Sequence, residues 1–497
     1  MMIPSLLPFF SNLSPEQIAI LQKKESALAA FPDRLAIAKQ ALPLCLEKIS
    51  QKFPVSSYTA TQKDTVLLVF CRLYLAFLTH SKTKIPWPEI EPLRPEDTTE
   101  FSTLTPAETS LGHQKLGTLC CLKLNGGLGT TMGCQGAKSA IPIHEKQTFL
   151  DVIAQQLLDL KQSTGTDIPL LLMNSSYTQE ETRNILEPLI AYTEFFQHEF
   201  PRIDRNNGFP FHVPSDPSLD WTPCGHGDMY LALSASGVLD RLMNSGHEFL
   251  FVSNVDNLGA TPHPAILGHM IAENLDFVME TTPKTKADVK GGTLIRHHNT
   301  LTLLERAQVE DLHLQDFEDI TTFPLFNTNS IWIRLSALKE ALHELCFKLP
   351  IITNHKVIHD HRITQLETAM GAGIAFFQRA KSIVVPRDRF LPVKKTSDLL
   401  VLQSDCIQKK GCALSFSNPN AVSYPTLHLS HHFERMSDYQ HRIQAVPSLK
   451  EATDVTLDGD IILGKNVVFK GRVTVYVKEG KTLKLENRVL DNETLVF

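Results

Sequence analysis

Between residues 111 and 395 the apolar positions gather in short blocks: TLCCLKL (118–124), IPLLLMN (168–174), HEFLFVSN (247–254), LDFVMETT (275–282), SIWIRL (330–335) and AKSIVVP (380–386). Continuous apolar blocks of this length, several of them separated by helical segments, predict buried strands of a layered α/β domain with a largely parallel central sheet. The preceding 1–110 reads as helical and mixed. It opens with a capping-box pattern at Ser14 (SPEQ) that places Pro15 at the first helical position. VLLVFCRLYLAFL (66–78) is broken by Arg72 and too short to span a bilayer, which predicts a core helix. PWPEIEPLRPED (86–97) is proline-rich and charged, a connector lying over the surface. Residues 396–497 form a third region, strand-rich from about 450, with turns at Asp458-Gly459, Leu463-Gly464 and Lys470-Gly471. That turn spacing fits short parallel coils, as in a β-helix, or a small sandwich.

A chain of 497 residues has room for about two to four domains and an ample core. Its net charge of −6 and lack of a long basic run argue against nucleic acid as a partner. The nine cysteines contain no C-x-x-C pair, which points to a reduced, cytoplasmic protein. The start, MMIPSLLPFFSNLS, lacks a basic segment and carries Pro4 and Pro8, so it does not read as a signal peptide. No membrane association is expected.

The densest chemistry follows the first block. In LNGGLGTTMGCQGAKS, glycines at 126, 127, 129 and 133 let the backbone approach a ligand, and Lys138 adds a point charge suited to phosphate. A P-loop is excluded because Ala137 precedes Lys138-Ser139, and a dinucleotide fingerprint because Met132 stands where its third glycine belongs. Asp256, directly after an apolar block in FLFVSNVDNLGA, suits either a Mg²⁺ ligand or a turn cap. Gly225-His226-Gly227-Asp228 reads as a turn, displayed toward a ligand or merely tight. Asn327 and Asn329 alternate, so on an extended strand both amides would face one side, as a pyranose or an ordinary edge strand would allow. VPRDRFLPVKKTSDLLVLQSD (385–405) puts Arg387, Arg389, Lys394 and Lys395 among apolar residues, which reads as a half-buried strand displaying charge. His297-His298, His359-Asp360-His361 and His431-His432 lack zinc-motif spacing and read as surface or packing residues.

Taken in order from about 116 to 405, these strings resemble the sugar-nucleotide pyrophosphorylases, specifically the eukaryotic-type UTP–glucose-1-phosphate uridylyltransferases. The resemblance implies a Rossmann-like nucleotidyltransferase domain at 111–395 and a left-handed β-helix from about 450 that could support a homo-oligomer. It implies nucleotide contacts from Leu124, Asn125, Gly126, Gly127, Gln197, Gly225 and Asn254, with Gln197 at the uracil. It places His226, Gly292, Glu305, Asn327 and Asn329 around the sugar phosphate, Mg²⁺ on Asp256, and Lys138 and Lys394 at the phosphates. Two positions depart from the family: Ala137 where proline is usual, and Gln135 where lysine or threonine is common. Losing the proline is expected to reduce loop preorganisation by about 0.4–1 kcal/mol.

The implied reaction joins UTP and glucose 1-phosphate to give UDP-glucose and pyrophosphate. The attacking phosphate oxygen is already anionic, so positioning and electrostatics suffice without a general base. Another sugar 1-phosphate, such as galactose or N-acetylglucosamine 1-phosphate, is the alternative substrate. The two departures also leave room for a nucleotide-sugar sensor without turnover, against which Lys138, Asp256 and Lys394 argue.

Overall fold

The computed structural model describes residues 3–11, 13–52, 59–79, 84–134, 136–144, 147–285, 288–418, 421 and 423–497; Gln135 lies outside them. All six apolar blocks become strands of one eight-stranded sheet. Its order is Thr98–Glu100, Ala380–Val384, Phe277–Pro283, Leu325–Arg334, Phe249–Asn254, Leu119–Asn125, Leu170–Asn174 and Tyr192–Phe196. Leu325–Arg334 runs antiparallel to both neighbours and the remaining pairings are parallel, so the sheet is mixed but largely parallel.

The apolar blocks are continuous because helices cover both faces. All seven residues of Leu119–Asn125 are buried, including Lys123, whose ammonium donates to Ser253 Oγ and Ala260 O at 2.7 Å each. The Phe149–Thr164 helix packs on one face, while Met229–Ala235 and Leu335–Lys348 pack on the other. Helices Pro106–Lys115 and Pro264–Ala272 cross at backbone contact. A Cβ on Gly112 would lie 1.8 Å from Pro264 O, and one on Gly268 would lie 1.7 Å from Glu108 O.

In the N-terminal region, Pro15–Leu28 starts with the expected Ser14/Gln17 capping box, and Ala60–Leu78 is the buried core helix. Arg72 within it donates to Leu349 O at 2.7 Å. These helices share an apolar core with Phe200, Ile203, Leu231 and Leu366. The region is not wholly helical, since Thr98–Glu100 forms an edge of the main sheet. No described helix is long and apolar enough to cross a membrane.

Beyond residue 425 every strand pairing is parallel, which favours stacked coils over a sandwich. Val455 and Leu457 register with Val473 and Val475 to form an interior apolar column. That column is continuous with the core on the Phe149–Thr164 face of the sheet.

Candidate active site

The site gathers at the carboxyl ends of the parallel strands, where α/β sheets bind ligands. Leu119–Asn125 runs directly into the glycine loop. Lys138 N donates back to Gly127 O at 3.1 Å, and Gly129 N donates to Gly136 O at 3.3 Å, so Gly127 and Gly129 are tied to Gly136 and Lys138. Gly133 takes a left-handed φ of +69°, and no atom of the described residues lies within 4 Å of where a Gly127 Cβ would stand. Ala137 has φ −60°, the value proline would impose, yet its N–H donates to the Glu181 carboxylate, a bond proline cannot make. The expected deficit of preorganisation at this position is therefore met from a neighbouring helix, Gln179–Leu186.

Gln197 joins two of the predicted nucleotide segments. Its Nε2 donates to Gly225 O at 2.8 Å, and its Oε1 lies 2.4 Å from where a Gly126 Cβ would stand. Gly225 has φ +83°, and a Cβ there would meet Thr368 O at 2.4 Å, so only glycine fits. Leu124 contributes backbone, accepting from Val255 N at 3.3 Å. The Asn125 amide nitrogen is committed within the fold, donating to Asn174 Oδ1 and Thr182 Oγ1 at 2.8 Å each, while its buried Oδ1 has no partner among the described residues.

At the centre, Asp256 follows Asn254 at the end of Phe249–Asn254 and is 5% exposed. Its Oδ2 accepts from Lys138 and from Lys394, the latter at 3.1 Å, while its buried Oδ1 has no partner among the described residues. Burial pushes the carboxyl pKa up, but Lys394 and Lys138 outweigh it and hold the pKa below the usual range, keeping Asp256 ionised. An ionised carboxylate with one uncommitted oxygen fits Mg²⁺, which takes hard oxygen ligands and needs few from protein.

The 385–405 segment corrects the strand reading. It forms a short turn at Arg387–Arg389, an irregular stretch, and then the helix Thr396–Gln403. Arg387 and Arg389 are buried ion-pair partners rather than displayed charges. Arg389 binds Glu280 in bidentate fashion at 2.7 and 2.9 Å, and Arg387 meets Asp288 at 2.8 Å. Lys394 alone of the four reaches Asp256, with its side chain 58% exposed. The sequence reading missed Asn257, which fixes this loop. Its Oδ1 accepts from Leu391 N at 2.8 Å, its Nδ2 donates to Arg389 O at 3.2 Å, and Val393 N donates to Asp256 O at 3.2 Å. The NVDN string was its only sequence signal.

On the sugar side, His226 Nδ1 accepts from Met370 N at 3.0 Å, which leaves the proton on Nε2. Burial, helped by Lys394, lowers its pKa to about 4, so the ring is a neutral donor at pH 7. Its Nε2 lies 3.5 Å from Asn329 Nδ2. Asn327 and Asn329 do meet, with Asn327 Nδ2 3.4 Å from Asn329 Oδ1, but not through strand alternation. Asn329 has φ +61°, and the pairing with Phe277–Pro283 shifts register between Glu280 and Thr281, so the amides are brought together by a local turn. Gly292 O accepts from Asn327 N at 3.0 Å, and Glu305 Oε1 lies 2.7 Å from where a Gly292 Cβ would stand. Burial raises the Glu305 pKa.

The predicted residues thus form three linked groups, one around Gln197, one around Asp256, and one around Asn329. A family model for UTP–glucose-1-phosphate uridylyltransferase matches residues 67–470. The barley (Hordeum vulgare) UTP–glucose-1-phosphate uridylyltransferase is 41% identical over 436 residues, covering 86% of this chain and 92% of its own. The Saccharomyces cerevisiae enzyme is 37% identical over 482 residues, covering 95% and 96%. A Trypanosoma brucei UDP-glucose phosphorylase structure superposes with a TM-score of 0.82 at 34% identity, covering 92% of this chain and 99% of that one. A Leishmania major UDP-glucose pyrophosphorylase variant in complex with UDP-glucose has a TM-score of 0.83 at 32% identity, with the same coverage. With a family model spanning most of its length and relatives aligned nearly end to end, the chain belongs to the UTP–glucose-1-phosphate uridylyltransferase family.

Proposed function

We propose that this protein transfers a uridylyl group from UTP to glucose 1-phosphate, reversibly, giving UDP-glucose and pyrophosphate. The observation that carries the reading is Asp256, ionised, bonded to two lysines through one oxygen and, among the described residues, unpartnered at the other. In the forward direction an anionic phosphate oxygen of glucose 1-phosphate attacks the α-phosphorus of UTP. The bond from that phosphorus to the bridging oxygen breaks, and pyrophosphate leaves with the electron pair. No proton moves, so the neutral His226 serves as a hydrogen-bond donor to the sugar phosphate rather than as a base.

Lys138 and Lys394 hold the phosphates and oppose the charge that develops on the leaving group. Gln197 and the Gly126 and Gly225 backbones position the uracil end, with Leu124, Asn125, Gly127 and Asn254 framing the nucleotide. Gly292, Glu305, Asn327 and Asn329 surround the glucose. Asp256 would hold Mg²⁺, which would supply charge neutralisation to the phosphates. The division at about 110 and 395, a left-handed winding of the C-terminal coils, their use as an oligomer surface, and a cytoplasmic location belong to the same reading. Tyr476, Val489 and Val496 on the coils are exposed apolar residues that suit such a surface.

The test is pyrophosphate release with UTP and Mg²⁺, comparing glucose, galactose and N-acetylglucosamine 1-phosphates and a no-metal control. Metal-dependent turnover preferring glucose 1-phosphate is expected. Preference for another sugar corrects the substrate, and UTP binding without turnover supports a sensor instead.

A further inference from the structure

Adjacent residues on a strand point to opposite faces. At the tip of the hairpin formed by Thr293–His297 and Thr300–Leu304, two adjacent histidines do not. His298 (φ +49°) and Asn299 (φ +63°) take left-handed conformations, and the His298 ring returns over His297 with centroids 4.1 Å apart. Both Nε2 atoms meet one carboxylate oxygen of Glu89, at 3.0 Å from His297 and 3.2 Å from His298. Glu89 belongs to the surface connector, 208 positions away in sequence from His297. Among the described residues, these three form the one group of potential ligand atoms that converges within 4.8 Å.

We infer that Glu89, His297 and His298 form a binding site for a zinc-class divalent cation (Zn²⁺, Co²⁺ or Ni²⁺), with water completing the shell. Bonds of about 2.0–2.2 Å to nitrogen and oxygen set ligand–ligand edges of about 3.3 Å in a tetrahedron. The two histidine–carboxylate spacings are close to that value. Two imidazole ligands favour these ions over Mg²⁺, which separates the site chemically from Asp256.

The frame is built before any ion arrives. Glu91 and Arg296 exchange both backbone hydrogen bonds, at 3.0 and 2.8 Å, locking the connector to the hairpin. Arg296 also binds Asp97 through two bonds of 2.8 and 2.6 Å. The connector carries four carboxylates (Glu89, Glu91, Glu96, Asp97) and Arg94, and with Arg296 of the hairpin the formal balance is −2, which attracts cations. A bound ion would staple the connector to the hairpin whose other end carries Gly292 and Glu305.

The experiment titrates the full-length protein with Zn²⁺ by calorimetry and with Co²⁺ by visible absorption, in excess Mg²⁺. It compares wild type with His298→Asn, which tolerates the left-handed backbone, and with Glu89→Gln. Unchanged Mg²⁺-dependent turnover establishes that both variants are folded. One cation per chain is expected, with affinity falling at least about tenfold in each variant. Equal affinity in all three proteins overturns the site, and so does a wild type that binds neither ion.

Discussion

Replacing Lys394 with alanine tests the electrostatic reading most directly. Its ammonium stands 3.1 Å from Asp256 Oδ2, and a phosphate oxygen in the same station would meet it at similar range. At that separation and an effective dielectric of about 20, one charge pair is worth about 5 kcal/mol. The side chain is 58% exposed, so solvent screening removes about a quarter to a half of that. About 2.7–4 kcal/mol is left, which corresponds to a fall in kcat of about 10²–10³. Lys395 is the control: it carries the same charge one residue on, and among its described contacts its side chain makes no ion pair with Asp256. Steady-state pyrophosphate release should show Lys394→Ala down by that factor and Lys395→Ala within about threefold of wild type. A Lys394→Ala kcat within threefold of wild type refutes the assignment, and equal losses in both variants refute the specific geometry in favour of diffuse charge.

Ala137→Pro fits φ −60° but deletes an N–H bonded to a carboxylate, so about 0.4–1 kcal/mol gained is outweighed by about 1.5–3 lost; urea unfolding should show a net destabilisation. Asn257→Ala leaves Leu391 N–H buried without its partner and should cost about 1–3 kcal/mol in stability, together with a drop in kcat that Asn257→Asp does not fully restore. His226 has a folded pKa lowered to about 4 against 6.5 unfolded, so its contribution to stability is full above pH 6.5 and falls away as pH drops toward 4. Compared with wild type, His226→Gln should therefore lose less stability across that window in thermal melts, whereas a constant difference would show that the ring does not titrate this way. Chelating divalent metal should abolish turnover while thermal melts still show a cooperatively folded protein, because Asp256 keeps its two lysines.

The central strands were legible because burial on both faces removes periodicity and leaves solid apolar blocks. The edge strands were not: Thr98–Glu100 is polar, and Tyr192–Phe196 is only partly buried, so neither forms such a block. Asp256, Lys138 and Lys394 could be picked out by motif and residue type. Arg387 and Arg389 looked equally chemical, because the carboxylates that absorb their charge, Asp288 and Glu280, lie about 100 positions away. Asn329 was expected on a regular strand; its left-handed backbone depends on a register shift that no local pattern encodes. Glu181 and Asn257 act on backbone groups of distant loops, and their residue types alone do not announce that.

One apolar core runs from Leu116 to Leu490, which has a bearing on biosynthesis. Ribosomes add about 5–20 residues per second, so 497 residues take about 25–100 s. For most of that time this core, although the Phe149–Thr164 helix already packs on it, lacks the part that Val455, Leu457 and Val475 complete. The sheet's early strands must wait, with apolar surface open to chaperones or to other nascent chains, until the final coils leave the exit tunnel. Truncations that remove the coils should accordingly fail as aggregates rather than as soluble, slower enzymes.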